Sequence, residues 1–171
     1  MNGGSPTEEI FERVFWAFKA SIDGFKYCRP VISIDDTFLY GKYKGKLLIA
    51  MGTDANNQIF PLAFAIVDEE SFGTWRWFLN LLRRYVVPDR EGICVISDRH
   101  NGIIAAINDA YCGFREPRGY HRFCLWHVES NFNSKFKNAY LKKLVMLIGS
   151  AHQVHKFNEF MEEIKSINTR A

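Results

Sequence analysis

Apolar residues recur along this chain with two different periods, and the switches between them mark its elements. Ile10, Phe11, Val14, Phe15, Phe18 and Ile22 stand three or four positions apart. They follow Ser5-Pro6-Thr7-Glu8-Glu9, which has the marks of a helix start: a capping hydroxyl, a proline in the first turn, and acids at the positive end of the dipole. The spacing predicts an N-terminal helix closed at Gly24. Residues 1–9 read as a disordered N-terminus, and 10–171 as one domain. Beyond Pro30 the period shortens. Val31 to Leu39, Lys46 to Thr53 and Gln58 to Val67 are rich in β-branched, aliphatic and aromatic residues and are separated by turn formers, GKYKG and DANN. They predict three strands in an antiparallel meander. Pro61 in the third argues for a sheet edge or a bulge.

The helical period then returns. Trp75, Phe78, Leu79, Leu82 and Val86 form one stripe over Glu69 to Val86, with Arg76, Arg83 and Arg84 off it and Pro88 ending it. Gly92 to Ser97, GICVIS, predicts a short buried strand that stops at Asp98. Gly102 to Tyr111 predicts a helix, His121 to Leu125 a brief strand, and 127–139, 140–150 and 153–167 three further helices. The order is β-β-β-α-β-α-β-α behind an extra helix. It implies an α/β fold with a mixed sheet, in which Val31–Leu39 is central and Gly92–Ser97 pairs beside it in parallel.

Against this pattern two aspartates stand out. Asp35 and Asp36 fall inside the predicted central strand, where a charged carboxylate is costly unless paired, solvated or bound to a cation. An edge strand with both aspartates in water is the simpler alternative. In the predicted topology Asp35 and Asp98 lie on neighbouring strands about 4.8 Å apart. Carboxylates so close either share a proton or recruit a cation, and with a third acid they suit a pair of Mg²⁺ ions that promote in-line attack on a phosphodiester. Asp98 also lies just past the carboxyl end of its strand, where open α/β sheets place their sites. Its alternative role is to cap the helix near Gly102. A third acid is expected from the last helix, which offers Glu159, Glu162 and Glu163. Glu163 lies nearest the apolar border formed by Phe157, Phe160, Met161 and Ile164, and all three could equally be solvated surface acids.

Composition and charge narrow the partners. The chain has 171 residues, 47% of them hydrophobic, which suffices for a core, and a formal net charge of +3, compatible with nucleic acid without requiring it. No apolar run approaches a membrane span, and the polar N-terminus lacks a leader's apolar segment. The four cysteines have no disulfide-scaffold spacing, so a reducing compartment is expected. Cys124 and His127 form a C-x-x-H pair close to His121 and His100, but a structural zinc normally takes four ligands and Cys112 is the one other cysteine nearby. Zinc is therefore not expected, and a local packing or hydrogen-bonding role is. Arg118, His121 and Arg122, with Arg115, and then Lys135 and Lys137, with Lys142 and Lys143, are interleaved with Tyr120, Phe123, Trp126, Phe132 and Phe136. Such a surface fits a phosphate backbone; the lysines also fit an ordinary solvated helix face.

With these residues in view, the chain resembles the transposase domain of Mutator-like elements, a plant family related to the FAR-RED-impaired transcription factors. The matching stretches run from FERVFWAFKA through VISIDDTFL to FAIVDEES, then WRWFLNLLRR, ISDRHNGI and HRFCLWHVESNF, in family order over most of residues 10–133. The resemblance implies an RNase H-like fold and a DDE triad that cuts and rejoins DNA with Mg²⁺ or Mn²⁺. It makes Asp35 the first acid, Asp98 the second, and Cys124 and His127 the family's C-x-x-H element. It also implies transposon ends as partner, a nuclear location, a possible homo-oligomer and no small-molecule cofactor. Two positions depart from the pattern. Asp36 replaces the usual glycine; the extra carboxylate either disturbs the geometry at a metal or faces away, as strand alternation would have it. Lys156 precedes Phe157 where an acid is usual, so that either this acid is missing or its role lies with Glu159, Glu162 or Glu163. The chain stops at Ala171 and resembles an isolated or truncated core. The alternative is a catalytically inactive, transposase-derived module that binds DNA or a protein in transcription regulation.

Overall fold

The computed structural model describes residues 11–42 and 44–168. The expected disordered N-terminus and the helix start at Ser5 lie outside the described residues. The chain divides into two compact units, Met1–Val95 with His100–His121, and Ile96–Arg99 with Arg122–Ala171.

A mixed six-stranded sheet runs in the order β1-β4-β3-β2-β5-β6. Its strands are β1 (Arg13–Trp16), β2 (Val31–Leu39), β3 (Gly45–Thr53), β4 (Ile59–Val67), β5 (Ile93–Ser97) and β6 (Gly119–Phe123). The meander is as the sequence predicts: β2 pairs antiparallel with β3, and β3 with β4. β2 is interior, and β5 is its neighbour on the other side. The edge alternative for Val31–Leu39 is thus excluded. Pro61 sits at a bulge rather than an edge. The register slips between Ala50, opposite Ala63, and Met51, opposite Pro61, so Leu62 has no partner of its own. Consecutive residues Leu62 and Ala63 are both buried as a result.

The N-terminal helix is corrected. Arg13–Trp16 is a strand paired antiparallel with β4, Phe15 opposite Ala65, and only α1 (Lys19–Gly24) is helical. Val14, Phe15 and Trp16 favour strand, and pairing satisfies the backbone groups of β4 that an edge would leave open. Helical spacing of the apolar residues is coincidental there. Phe15 still turns inward, its ring edge-on to Trp77 and Phe78.

The helix expected from Glu69 starts later. α2 (Phe72–Leu81) is capped by Ser71, whose Oγ accepts the Thr74 amide at 3.1 Å, and it runs on through a π-helical turn, Leu82–Val86. Trp75, Phe78, Leu79, Leu82 and Val86 are all buried against Ile32, Ile34, Leu48, Ala50 and Val95. Arg83, expected outside, is buried too: the π-turn shifts its angular position, and its guanidinium bonds the Arg90 carbonyl at 2.6 Å and Glu91 at 3.0 Å. α3 (Asn101–Asn108) packs beside α2 with Ile103, Ala106 and Ile107 inward.

The second unit holds α4 (Leu125–Phe136), α5 (Ala139–Gly149) and α6 (Val154–Ile167), the three predicted late helices. Leu141, Leu144, Val145 and Ile164 form its own small core, with Phe132, Phe136 and Phe160 against it. Gly149 permits the close approach of α5 to α4, since a Cβ there would lie 2.2 Å from Leu125 Cδ1. No helix among the described residues is long and apolar enough to cross a membrane.

Candidate functional site

Strand alternation separates the two adjacent aspartates. Ile32 and Ile34 are buried, and Asp36 lies on their face of β2; Asp35 lies on the other face and is exposed. The Asp35 Oδ1 accepts the Asp36 amide at 2.9 Å. Asp98 follows the last residue of β5, half-buried, and Ser97 Oγ donates to its carbonyl at 2.7 Å. The N-cap position of α3 is held by His100 rather than Asp98. Asp35 belongs to the first unit and Asp98 to the second.

Within the second unit, the Cys124 amide donates to the Ser97 carbonyl at 2.6 Å, so the start of α4 is tied to the residue before Asp98. Cys124 is the N-cap of α4, and His127 sits in the first turn, both half-buried. Of the late acids, Glu159 and Glu162 are exposed and paired with Lys156 and Lys165. Glu163 is half-buried and accepts the Tyr140 hydroxyl, which raises the Tyr140 pKa. The helical wheel thus separates Glu163 from the other two correctly. Lys142, grouped in the sequence with the basic surface, pairs at 2.9 Å with Glu129, which is buried in α4.

The basic residues are distributed over both units. Arg118 is exposed and grips Glu91 through Nε at 3.2 Å and Nη2 at 3.0 Å. His121 and Arg122 lie on β6, the edge strand. Lys135 and Lys137 end α4, with Lys135 over the Phe136 ring and Lys137 in the left-handed region at φ 49°.

Asp36 belongs to a cluster that sequence reasoning missed. Leu48 is opposite Asp36 in β3, and Lys46 is two residues along on the same face, a diagonal within reach of a long side chain. Lys46 Nζ lies 2.7 Å from Asp36 Oδ2 and donates to Glu70 Oε2 at 2.7 Å. The other Glu70 oxygen accepts Trp75 Nε1 at 2.9 Å and lies 3.0 Å from His100 Nδ1. Side-chain exposure of Asp36, Lys46 and Glu70 is only 15%, 16% and 11%. Burial raises the Asp36 pKa, the Lys46 hydrogen bond offsets only part of that, and the Glu70 charge adds to it. Burial would raise Glu70 as well, but the bonds from Lys46 and Trp75 and the His100 charge outweigh it and hold the carboxyl below its ordinary range. Burial alone would lower Lys46; its two carboxylate partners raise it. The signal for this cluster was an acid just outside a helix start, at Glu70, beside a lone lysine on an apolar strand.

Among the described residues, no three His, Cys, Asp or Glu side chains form a group able to hold a metal ion. Asp35 and Asp98 carry hard carboxylate oxygens of the kind magnesium prefers, and that ion is commonly held by one or two carboxylates with water and substrate phosphate filling the other positions. The free thiols are of a different kind. Cys112 is fully buried, its pKa pushed up to about 11 by burial and then by the Asp109 charge.

Residues 31–131 match the MULE transposase domain. The span opens at the first residue of β2 and includes Asp35, Asp98, Cys124 and His127. Three Arabidopsis thaliana proteins are similar to the chain. FAR1-RELATED SEQUENCE 4 is 23% identical over 88% of it, FAR-RED IMPAIRED RESPONSE 1 is 26% identical over 71%, and FAR1-RELATED SEQUENCE 6 is 27% identical over 71%. The chain spans 21%, 14% and 16% of their respective lengths. On the strength of a match that covers more than half of its residues, the chain belongs to the MULE transposase domain family.

Proposed function

We propose that this chain is the core of a DDE-type DNA transposase with an RNase H-like sheet. In this reading Asp35 and Asp98 hold Mg²⁺ or Mn²⁺, and Glu163, the half-buried member of the late glutamates, is the third acid. The observation that carries it is the contrast within β2. Asp36 turns to the core side and pairs with Lys46, while Asp35 is exposed on the opposite face of an interior strand. A family match that spans both aspartates supports the same reading. The bound metal supplies Lewis-acid stabilisation of the attacking and leaving oxygens. Arg122 and the lysines at the end of α4 bind the backbone of the DNA, the transposon ends being the substrate and the nucleus the compartment. Water or a 3′-hydroxyl attacks phosphorus, the P–O3′ bond breaks, and the departing oxygen leaves as a 3′-hydroxyl.

The test is strand cleavage of duplex and nicked oligonucleotides with Mn²⁺, comparing the wild-type chain with Asp35→Asn, Asp98→Asn and Glu163→Gln. Cleavage is expected for the wild type, falling to the protein-free rate in the two aspartate variants. Equal cleavage by wild type and Asp98→Asn would remove the catalytic reading. A binding module without catalysis is favoured by one observation: Lys156 is exposed, is bonded to Glu159 at 2.8 Å, and puts a cation where the family pattern has an acid. DNA binding with no cleavage by any form would establish that alternative.

A further inference from the structure

Glu70 makes more polar contacts than a carboxylate needs to stay folded. It stands in the connection between β4 and α2, and its two oxygens accept from Lys46 on β3 and Trp75 on α2, one of them also lying 3.0 Å from His100 Nδ1 at the start of α3. Apolar side chains of similar volume would satisfy the same space at no desolvation cost, so a buried ionic cluster argues for fixed geometry rather than for stability. A second observation points the same way. A Cβ on Gly102 would lie 3.0 Å from His100 Cε1 and 3.0 Å from the Phe72 amide nitrogen. The chain therefore keeps a glycine where the His100 ring and the start of α2 close on the first turn of α3.

The two ends of the cluster are informative in the sequence. Asp36 is the chain neighbour of Asp35, and His100 is two residues beyond Asp98. We propose that Glu70 is a positioning residue, which by holding Lys46 against Asp36 and clamping the His100 imidazole restricts the backbone segments from which Asp35 and Asp98 project. This deepens the transposase reading and rests on it for its catalytic consequence. The clamp itself is independent of that reading. Its loss frees the Asp98–His100 segment whether or not the chain cuts DNA.

The experiment uses the full chain and two readouts. Amide hydrogen exchange over residues 98–103 is measured in the wild type, in Glu70→Gln, in His100→Gln and in a control, Glu91→Gln, which removes a different paired acid. Exchange is expected to rise in the first two variants and not in the control. Mn²⁺-dependent cleavage at saturating DNA is expected to fall by about 10- to 100-fold in Glu70→Gln with DNA affinity unchanged, the usual consequence of losing an outer-shell partner. The double variant Glu70→Gln/His100→Gln is expected to be no slower than either single one. If Glu70→Gln does not fold, His100→Gln alone decides, since that ring is 39% exposed and its loss leaves no core cavity. Unchanged exchange at 98–103 overturns the proposal. Raised exchange with no cleavage by the wild type keeps the clamp and defeats the transposase reading instead.

Discussion

Asp35 and Asp36 share a backbone and have different physical fates. Alternation sends one to the exposed face of β2 and the other to the core side, where Lys46 meets it. The same side chemistry therefore yields a candidate metal ligand and a structural ion pair at successive positions. Glu70 shows what burial does to such a group. Its carboxyl is held below the ordinary glutamate range, so it contributes stability that is fully present above the unfolded-state pKa of about 4.3 and is lost as the pH falls through the lower folded value. Chemical denaturation of wild type and Glu70→Gln across the acid range checks the sign. The wild type's advantage is expected to be constant near neutrality and to shrink on acidification. An advantage that grows on acidification would show that the charged form of Glu70 is not the one being stabilised.

At the level of elements, local signals failed where pairing overrode them. Apolar spacing around Val14 and Phe15 fits a helix, yet these residues form β1, because β4 has an open edge and strand formers stand ready to cover it. Pro61 shows the converse. A missing amide hydrogen could be placed at an edge or a bulge, and the register slip beside Ala50 chose the bulge. The start of α2 is the element boundary with the clearest cause. Ser71 Oγ accepts the Thr74 amide at 3.1 Å and lies 2.9 Å from Thr74 Oγ1. Ser71→Ala is expected to lower stability by about 1 kcal/mol. Urea unfolding should show this as a lower midpoint at unchanged slope; an unchanged midpoint would mean that the cap contributes nothing here.

For the whole molecule, charge is the property that a nucleic-acid partner would read. The net charge of +3 is small, so binding depends on where the cations stand rather than on their sum. Several are already committed: Lys46, Arg83 and Lys142 to carboxylates within the fold, and Arg118 to Glu91. Lys135 and Lys137, exposed at the end of α4, are candidates for phosphate contact. Removing both as Lys135→Ala/Lys137→Ala is expected to reduce the slope of log affinity against log salt by about 1.8, at about 0.9 per lost phosphate contact. A fluorescence titration on duplex DNA at several salt concentrations measures that slope, and no change would place the interface elsewhere.

Much of this protein was fixed by local chemistry that a reader of the chain can see. Turn formers between β-branched runs set the meander, a hydrophobic stripe set α2, and the two aspartates with the C-x-x-H pair carried the resemblance that the family match bears out. Tertiary structure decided what local propensity cannot encode. That Asp36 would sit in an ion pair depended on the lysine that a neighbouring strand brings within 2.7 Å. That Glu70 would join β3, α2 and α3 depended on distances between elements far apart in the chain. The strand at Arg13–Trp16 likewise exists because hydrogen-bonding groups of β4 required a partner, a demand that no window of sequence around those four residues contains.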